Sequence, residues 1–397
     1  MNATQAHNLP PSRGAAYAIG SELSLDHFSN TIFKSLRRTD QRRWAHTYLK
    51  GLLVTPGKKS VRRLATAVSR DPSVVQSLRQ FVSLSPWSFD EVMEELTHWV
   101  AGRHPEPVWS IGRVVLPKRG NRSVGVHRYF DLPSGRTLNC QLGLGSFLSA
   151  GGAQVPVDWC LYLSTAWTQD PERRREARIP DSEEYRPLWA HTLRLVDRLS
   201  ARTNSMSSVV LVDMSDEPGV RHLLHGLLKR RRDFVVAVPP HLAVLPAGGG
   251  APAPVSARAW VSAQSPETAL VHLPGKQQRT AHLQTSLVHL PGGSQSSSPG
   301  PPYRLFTEVD SARAPGPLWL TSLAHHTLAE AGSIAASHAG TMTVIGSMER
   351  DFGLLDFEGR SFPGWYHHMA LVSAAYTYRR LYGFTAEPSR NTAQRML

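Results

Sequence analysis

Residues 109–126 read WSIGRVVLPKRGNRSVGV, and the fold turns on how this stretch is taken. Trp109 to Ile111 starts an apolar run of strand type, which passes through Gly112 and Arg113 into the loop Pro117 to Arg122. That loop carries Lys118, Arg119 and Arg122 around Gly120. Strand ends that feed loops are common places to mount chemistry, yet this one presents a glycine and a cation.

Outward from the stretch the apolar period stays at two. VWSIGRVVL, SVGVHRYFD, TLNCQLGLGSFLS and VPVDWCLYLS read as successive strands, with a Ser134-Gly135 turn between the second and third. EEYRPLWAHTLRLVDRLSAR then has the spacing of an amphipathic helix. The strand SVVLVDM follows, ending at Asp213, then the helix EPGVRHLLHGLLKRRR and the strand DFVVAV. Antiparallel strands followed by helix, strand, helix, strand predict an α/β fold of ribonuclease-H-like order, a mixed sheet flanked by helices; other α/β folds begin in the same way.

Upstream, residues 24–100 have helical spacing in five pieces, with Thr39-Asp40, Ser60, Asp71-Pro72 and Ser88 as start signals. Glu91 stands three residues after Ser88, as a capping box requires. Short helices with Arg and Lys between them fit a helix-turn-helix-like head, and a generic helical bundle explains the same apolar pattern. The expected organisation is a disordered lead-in over 1–22, a helical DNA-binding-like domain over 23–104 and the first part of the core over 105–240. A loosely ordered Gly/Pro/Ser-rich insertion with a duplicated LVHLPG follows over 241–302, then the rest of the core with C-terminal helices over 303–385 and a tail over 386–397. A long helix is expected from Leu328 to about Arg350, and a closing helix from Met369.

Composition narrows the function classes. The 397 residues carry 44 Lys and Arg against 31 Asp and Glu, a net charge of +13. Such an excess suits a polyanion, with double-stranded DNA the leading partner. Cys140 and Cys160 are the only cysteines, too few for a disulfide framework and without metal-site spacing. No apolar run approaches the ~20 residues that span a bilayer, and residues 1–20 lack the pattern of a signal peptide. A cytoplasmic, nucleoid-associated protein that avoids membranes and can form a homo-oligomer is the expectation.

Six segments in order, QRRWAHTYLKGLL, FVSLSPW, PKRGNRSVGV, NCQLGLGSFLS with VDWCLYL, VVLVDMSDEPGVR, and FGLLDFEGRSFPGWYHHMALV, resemble bacterial DDE transposases of the insertion sequence 701 family over about residues 28–383. The resemblance implies two-metal phosphoryl transfer, in which two Asp and one Glu hold a pair of Mg²⁺ ions about 4 Å apart. It places the first acid at Gly112, the second at Asp213 and the third on the long helix near Thr341 to Val344, which reads TMTV and puts Met342 and Thr343 at the position. Two of three acids are thus absent. Asp131, Asp158 and Asp216 do not neighbour the first position, and Glu349 and Asp351 lie roughly 10 Å further along the helix.

Asp213 is read as either a residual metal ligand or a cap on the next turn. The candidate DNA contacts are Arg42, Arg43, Lys58, Lys59, Arg113, Lys118, Arg119, Arg122, Arg360, His367 and His368. Adjacent helical residues diverge by about 100°, so His367 and His368 do not share one metal, and DNA or packing contact is expected instead. Lys229 to Arg232 reads as solvated charge at a helix C-terminus. The leading function is therefore a DNA-binding, transposase-like protein with a decayed nuclease site and no cofactor. An active transposase with relocated ligands and Mg²⁺ is one alternative. A fold repurposed for a small molecule near Arg113 is another, and no G-x-S-x-G elbow supports hydrolase chemistry.

Overall fold

Apolar residues at helical spacing fold into five helices: α1 (Leu25–Ile32), α2 (Thr39–Val54), α3 (Val61–Val68), α4 (Ser73–Ser83) and α5 (Phe89–Ala101). This computed structural model describes residues 25–382 apart from 104, 133, 151–152, 204–207, 248–252, 274–276, 292–300 and 310–315. Two expected caps form: the Ser60 hydroxyl accepts from Arg63 N–H, and the Ser88 hydroxyl from Glu91 N–H at 3.2 Å.

Four strands follow: β1 (Pro105–Pro117), β2 (His127–Asp131), β3 (Arg136–Ala150) and β4 (Ala153–Leu161). The second is shorter than expected, because residues 123–126 form a turn where Gly125 takes φ +75°. Three helices come next, α6 (Thr165–Thr168), α7 (Pro171–Ala177) and α8 (Leu188–Thr203), then β5 (Val209–Asp213), α9 (Val220–Lys229) and β6 (Phe234–Ala237). The segment expected to be loose is instead largely regular. It contains β7 (Ala243–Pro246), β8 (Val255–Ser256), α10 (Ala257–Ser262), β9 (Pro266–His272) and β10 (Gln278–His289). The two LVHLPG copies fall at the ends of β9 and β10, which pair antiparallel with each other. The chain then runs through β11 (Tyr303–Glu308), β12 (Leu318–Thr321), α11 (Leu328–Asp351) and α12 (Phe362–Tyr382).

Among the described residues the strands form one mixed sheet in the order β2-β3-β1-β5-β6-β12-β11-β10-β7-β8, with β4 also on β3 and β9 on β10. β1 is antiparallel to β3 but parallel to β5, and β5 is parallel to β6. The sequence β4-β3-β1-β5-β6 is the ribonuclease-H-like order, and helices cover both faces. One face, with Val209, Leu211, Val235 and Ala237, packs on Ala331 and Ala335 of α11. The other, with Trp109, Ile111, Val210 and Val212, joins the main core with α8, α9 and α12. α12 is buried on every side from Gly364 to Tyr378, the behaviour of a helix apolar all round. It begins at Phe362, so His367 and His368 lie inside it and not before it.

A buried ion cluster joins the two halves of the main core. Asp158 on β4 has no exposed surface and meets Arg198 Nε at 2.7 Å and Arg202 Nη1 at 2.9 Å, both on α8. Arg202 also reaches Asp90 on α5 at 3.2 Å. Asp158 is thus committed to structure, not to a metal. Replacing Asp158 with Ala strands two guanidiniums in a low-dielectric setting and should lower unfolding stability by about 3–5 kcal/mol. Urea denaturation checks this; a loss under about 1 kcal/mol would show the cluster to be well solvated.

Candidate functional site

The parallel register sets Ile111 beside Val212, and one further step sets Gly112 beside Asp213. Alternation along the strands turns Ser110, Gly112 and Asp213 toward α11. The two positions expected to hold the first and second acids are therefore neighbours. α11 supplies the third wall.

That wall is closed over Gly112. A Cβ on this glycine would stand 2.7 Å from Ile345 Cδ1, 3.0 Å from Thr341 Cγ2 and 3.4 Å from Phe147 Cε2. A side chain there requires the Ile345 δ-methyl to shift and Thr341 to give by a few tenths of an ångström. The Thr341 hydroxyl is engaged as well: it hydrogen-bonds Ser110 Oγ at 2.5 Å and Gln154 Oε1 at 2.6 Å, all three groups being buried. The helix positions that face the strands are 338, 341 and 345, spaced by one turn. Met342 and Thr343, the expected third position, instead point outward: Met342 is 43% exposed, and Thr343 donates to Ala339 O.

Asp213 keeps the strand-end place expected for it. Its carboxylate accepts from Ser215 N–H at 2.9 Å, so the capping role is realised. It also acts electrostatically on His338, a half-buried residue of α11 whose imidazole is held below its ordinary range by burial, with Asp213 opposing that shift and Arg113 adding to it. His338 was not singled out from the sequence, because a lone histidine on a long helix gives no sign of which strand it will face.

Arg113 points to the opposite side of the sheet from Gly112. It grips Asp216 with both terminal nitrogens and bonds the Tyr129 hydroxyl at 2.7 Å. Burial favours a neutral Asp216 carboxyl, but the Arg113 hydrogen bonds and charge outweigh it and hold the carboxyl below its usual range. Arg113 is therefore an internal cation, not an anion-binding group open to solvent, which corrects its assignment to a DNA surface. Glu217, half-buried beside it, is raised by burial.

A two-metal centre needs several oxygen anions converging on one point. Here Asp213 adjoins a glycine closely covered by Ile345 and Thr341, a bonded threonine and a half-buried imidazole. Asp216 is held by Arg113. Among the described residues no three of His, Cys, Asp and Glu come together in a metal-binding group. The donor set does not fit a Mg²⁺ pair.

The remaining candidate contacts divide by burial. Lys59 is 4% exposed, its ammonium donating to Thr55 O and its backbone N–H to Asp356 at 2.7 Å. His367 is buried between Val82 O and Trp87 O and stacks on the Trp87 ring at 3.8 Å. His368 is buried against Gly353 O at 3.0 Å and the Tyr48 hydroxyl at 3.5 Å. These three residues pack the interior and do not reach a DNA surface. Arg42, Arg43, Lys58, Arg119, Arg122 and Arg360 are exposed. Arg43 lies over the Trp44 ring at 4.3 Å.

The segment 357–360 gathers half-buried Lys118 with exposed Lys58 and Arg360. Lys118 donates to Phe357 O at 2.8 Å, Lys58 meets Glu358 at 3.6 Å, and Arg360 O accepts from Val124 N–H at 3.1 Å. Burial lowers the Lys118 ammonium to about 8. The loop bearing Arg119 and Arg122 turns at Gly120, where φ is +83°, and Asn139 fastens it by donating to Lys118 O at 2.9 Å and Gly120 O at 2.8 Å.

Residues 31–283 match the family model described as DDE superfamily endonuclease. No curated protein matches the chain. Among solved structures, the cryo-EM structure of the piggyBac transposase synaptic complex with hairpin DNA is similar at 11% identity and a TM-score of 0.46, over 89% of this chain and 70% of that one.

Two outcomes follow from the packing. Gly112→Asp should destabilise the protein by about 1–3 kcal/mol or more, from overpacking plus a buried carboxylate, and should not create Mg²⁺ affinity. Calorimetric titration with Mg²⁺ and a thermal melt check both parts. His368 is neutral in the fold, its value depressed to about 4 by burial first and by Lys118 next. Its unfolded form takes up a proton below about 6.5, so stability falls as pH drops from there through about 4. His368→Gln should flatten the stability–pH slope near pH 5 by about 1 kcal/mol per pH unit.

Proposed function

The chain belongs to the DDE superfamily of endonucleases, and from that membership we propose that it is a transposase-like protein of the bacterial insertion sequence 701 type that binds duplex DNA without cutting it. The observation that carries the second half of the reading is that the first ligand position is a glycine closely covered by Ile345 and Thr341, whose side chains would have to shift for any acid there. Arg113 adds to it by committing Asp216 to an ion pair on the far side of the sheet. The net charge of +13 and the exposed Arg119 and Arg122 on the loop after β1 support DNA as the partner. The helical domain over 23–104, with Arg42 and Arg43 on its surface, adds a second basic element. A role in regulating DNA, rather than rearranging it, is what such a protein retains. Among the described residues no helix is long and apolar enough to cross a membrane.

An electrophoretic shift series on a mixed-sequence duplex tests the reading. Affinity should fall steeply with salt, at about 0.9 in log–log slope for each phosphate neutralised. Arg119→Ala with Arg122→Ala should reduce that slope by about 2. Absence of binding at low salt overturns DNA recognition. Mg²⁺-dependent cleavage that disappears in Asp213→Ala overturns the inactive site and favours relocated ligands.

A further inference from the structure

The β2–β3 hairpin ends in a feature that the vacated site leaves unexplained. Phe130 is 53% exposed and Leu132 57% exposed, two apart at the tip. Phe130 is the one exposed phenylalanine among the described residues. Alternation places exposed Arg128 on the same side of the strand as Phe130.

The tip is stiff. Gly135 N–H donates to Leu132 O at 3.2 Å and Ser134 N–H to the Asp131 carboxylate at 3.1 Å, while Gly135 takes φ +64°, open to glycine at no steric cost. On the other side of the strand, Tyr129 is pinned by Arg113. Asn139, paired across from Arg128, is the residue that clips the Arg119–Arg122 loop onto the hairpin. Arg119, Arg122 and Arg128 therefore share one surface with the apolar tip.

We infer that Phe130 and Leu132 form an apolar wedge for the base stack of duplex DNA, set in a frame of phosphate-binding arginines. The inference rests on the DNA-binding reading above and deepens it. Large apolar groups held in water are unfavourable, and a base step opened by the tip gives them a dry, flat partner. The surrounding cations favour a polyanion over an apolar protein surface. Asp131 does not oppose this, since its carboxylate is turned into the hairpin turn.

The test uses the full-length chain and a short duplex with donor and acceptor dyes at its two ends. Binding by the wild type should raise energy transfer, because side-chain wedges kink DNA by about 20–90°. Phe130→Ser with Leu132→Ser should keep the same salt slope and thermal midpoint but lose the rise in transfer. Arg119→Ala with Arg122→Ala should show the reverse pattern, a shallower slope with bending retained at saturation. Unchanged bending in the tip variant overturns the wedge while leaving DNA binding intact. A tip variant that alters only sedimentation, with bending preserved, assigns the tip to contact between copies and likewise overturns it. A wild type that fails to bind the duplex removes the DNA reading itself, and the wedge with it.

Discussion

The packing of α11 against β1 at Gly112 governs much of what this protein can do. Ile345 and Thr341 approach the strand so closely that a side chain at position 112 would displace them. The buried Ser110–Thr341–Gln154 hydrogen bonds then fix the helix in rotation, because each hydroxyl would otherwise be unsatisfied away from water. A helix locked at that spacing turns His338 toward Asp213 and carries Met342 and Thr343 outward. The same contact fills with methyl groups the space where paired metals would need charged oxygens.

On the opposite side of the sheet, Arg113 makes a complementary tie. A guanidinium next to a metal pair would repel it, whereas here the charge is balanced by Asp216 and joined to Tyr129. The strand end that feeds the basic loop is thereby connected to β2 and to the turn after β5. Arg113 is thus a structural joint that ties β1 to the hairpin whose tip faces solvent.

The fold was legible in the sequence to a large degree. The period-two runs around residue 109, the helical head and the alternating helices and strands after residue 183 all appear where apolar spacing placed them. The misreadings have physical causes. Residues 241–302 are rich in Gly, Pro and Ser, yet β9 and β10 form because Ala269, Val271, Ala281 and Leu283 find an apolar partner in α11. α12 starts before His367 because neighbouring elements, not local periodicity, bury it on all sides. Lys59 was assigned to DNA by residue type and burial removed it, while the two histidines, expected to contact DNA or to pack, take the packing role.

By itself the sequence determined that Gly112, the position the resemblance gives to the first acid, lies in one apolar strand run and that Asp213 ends another. Covalent order and side-chain period suffice for that. Only the tertiary structure decided what fills the gap, since Ile345, Thr341 and Asp216 lie far along the chain from β1. Close packing of distant residues, which leaves no void for a missing carboxylate, is a property of the folded interior and cannot be read from spacing along one strand.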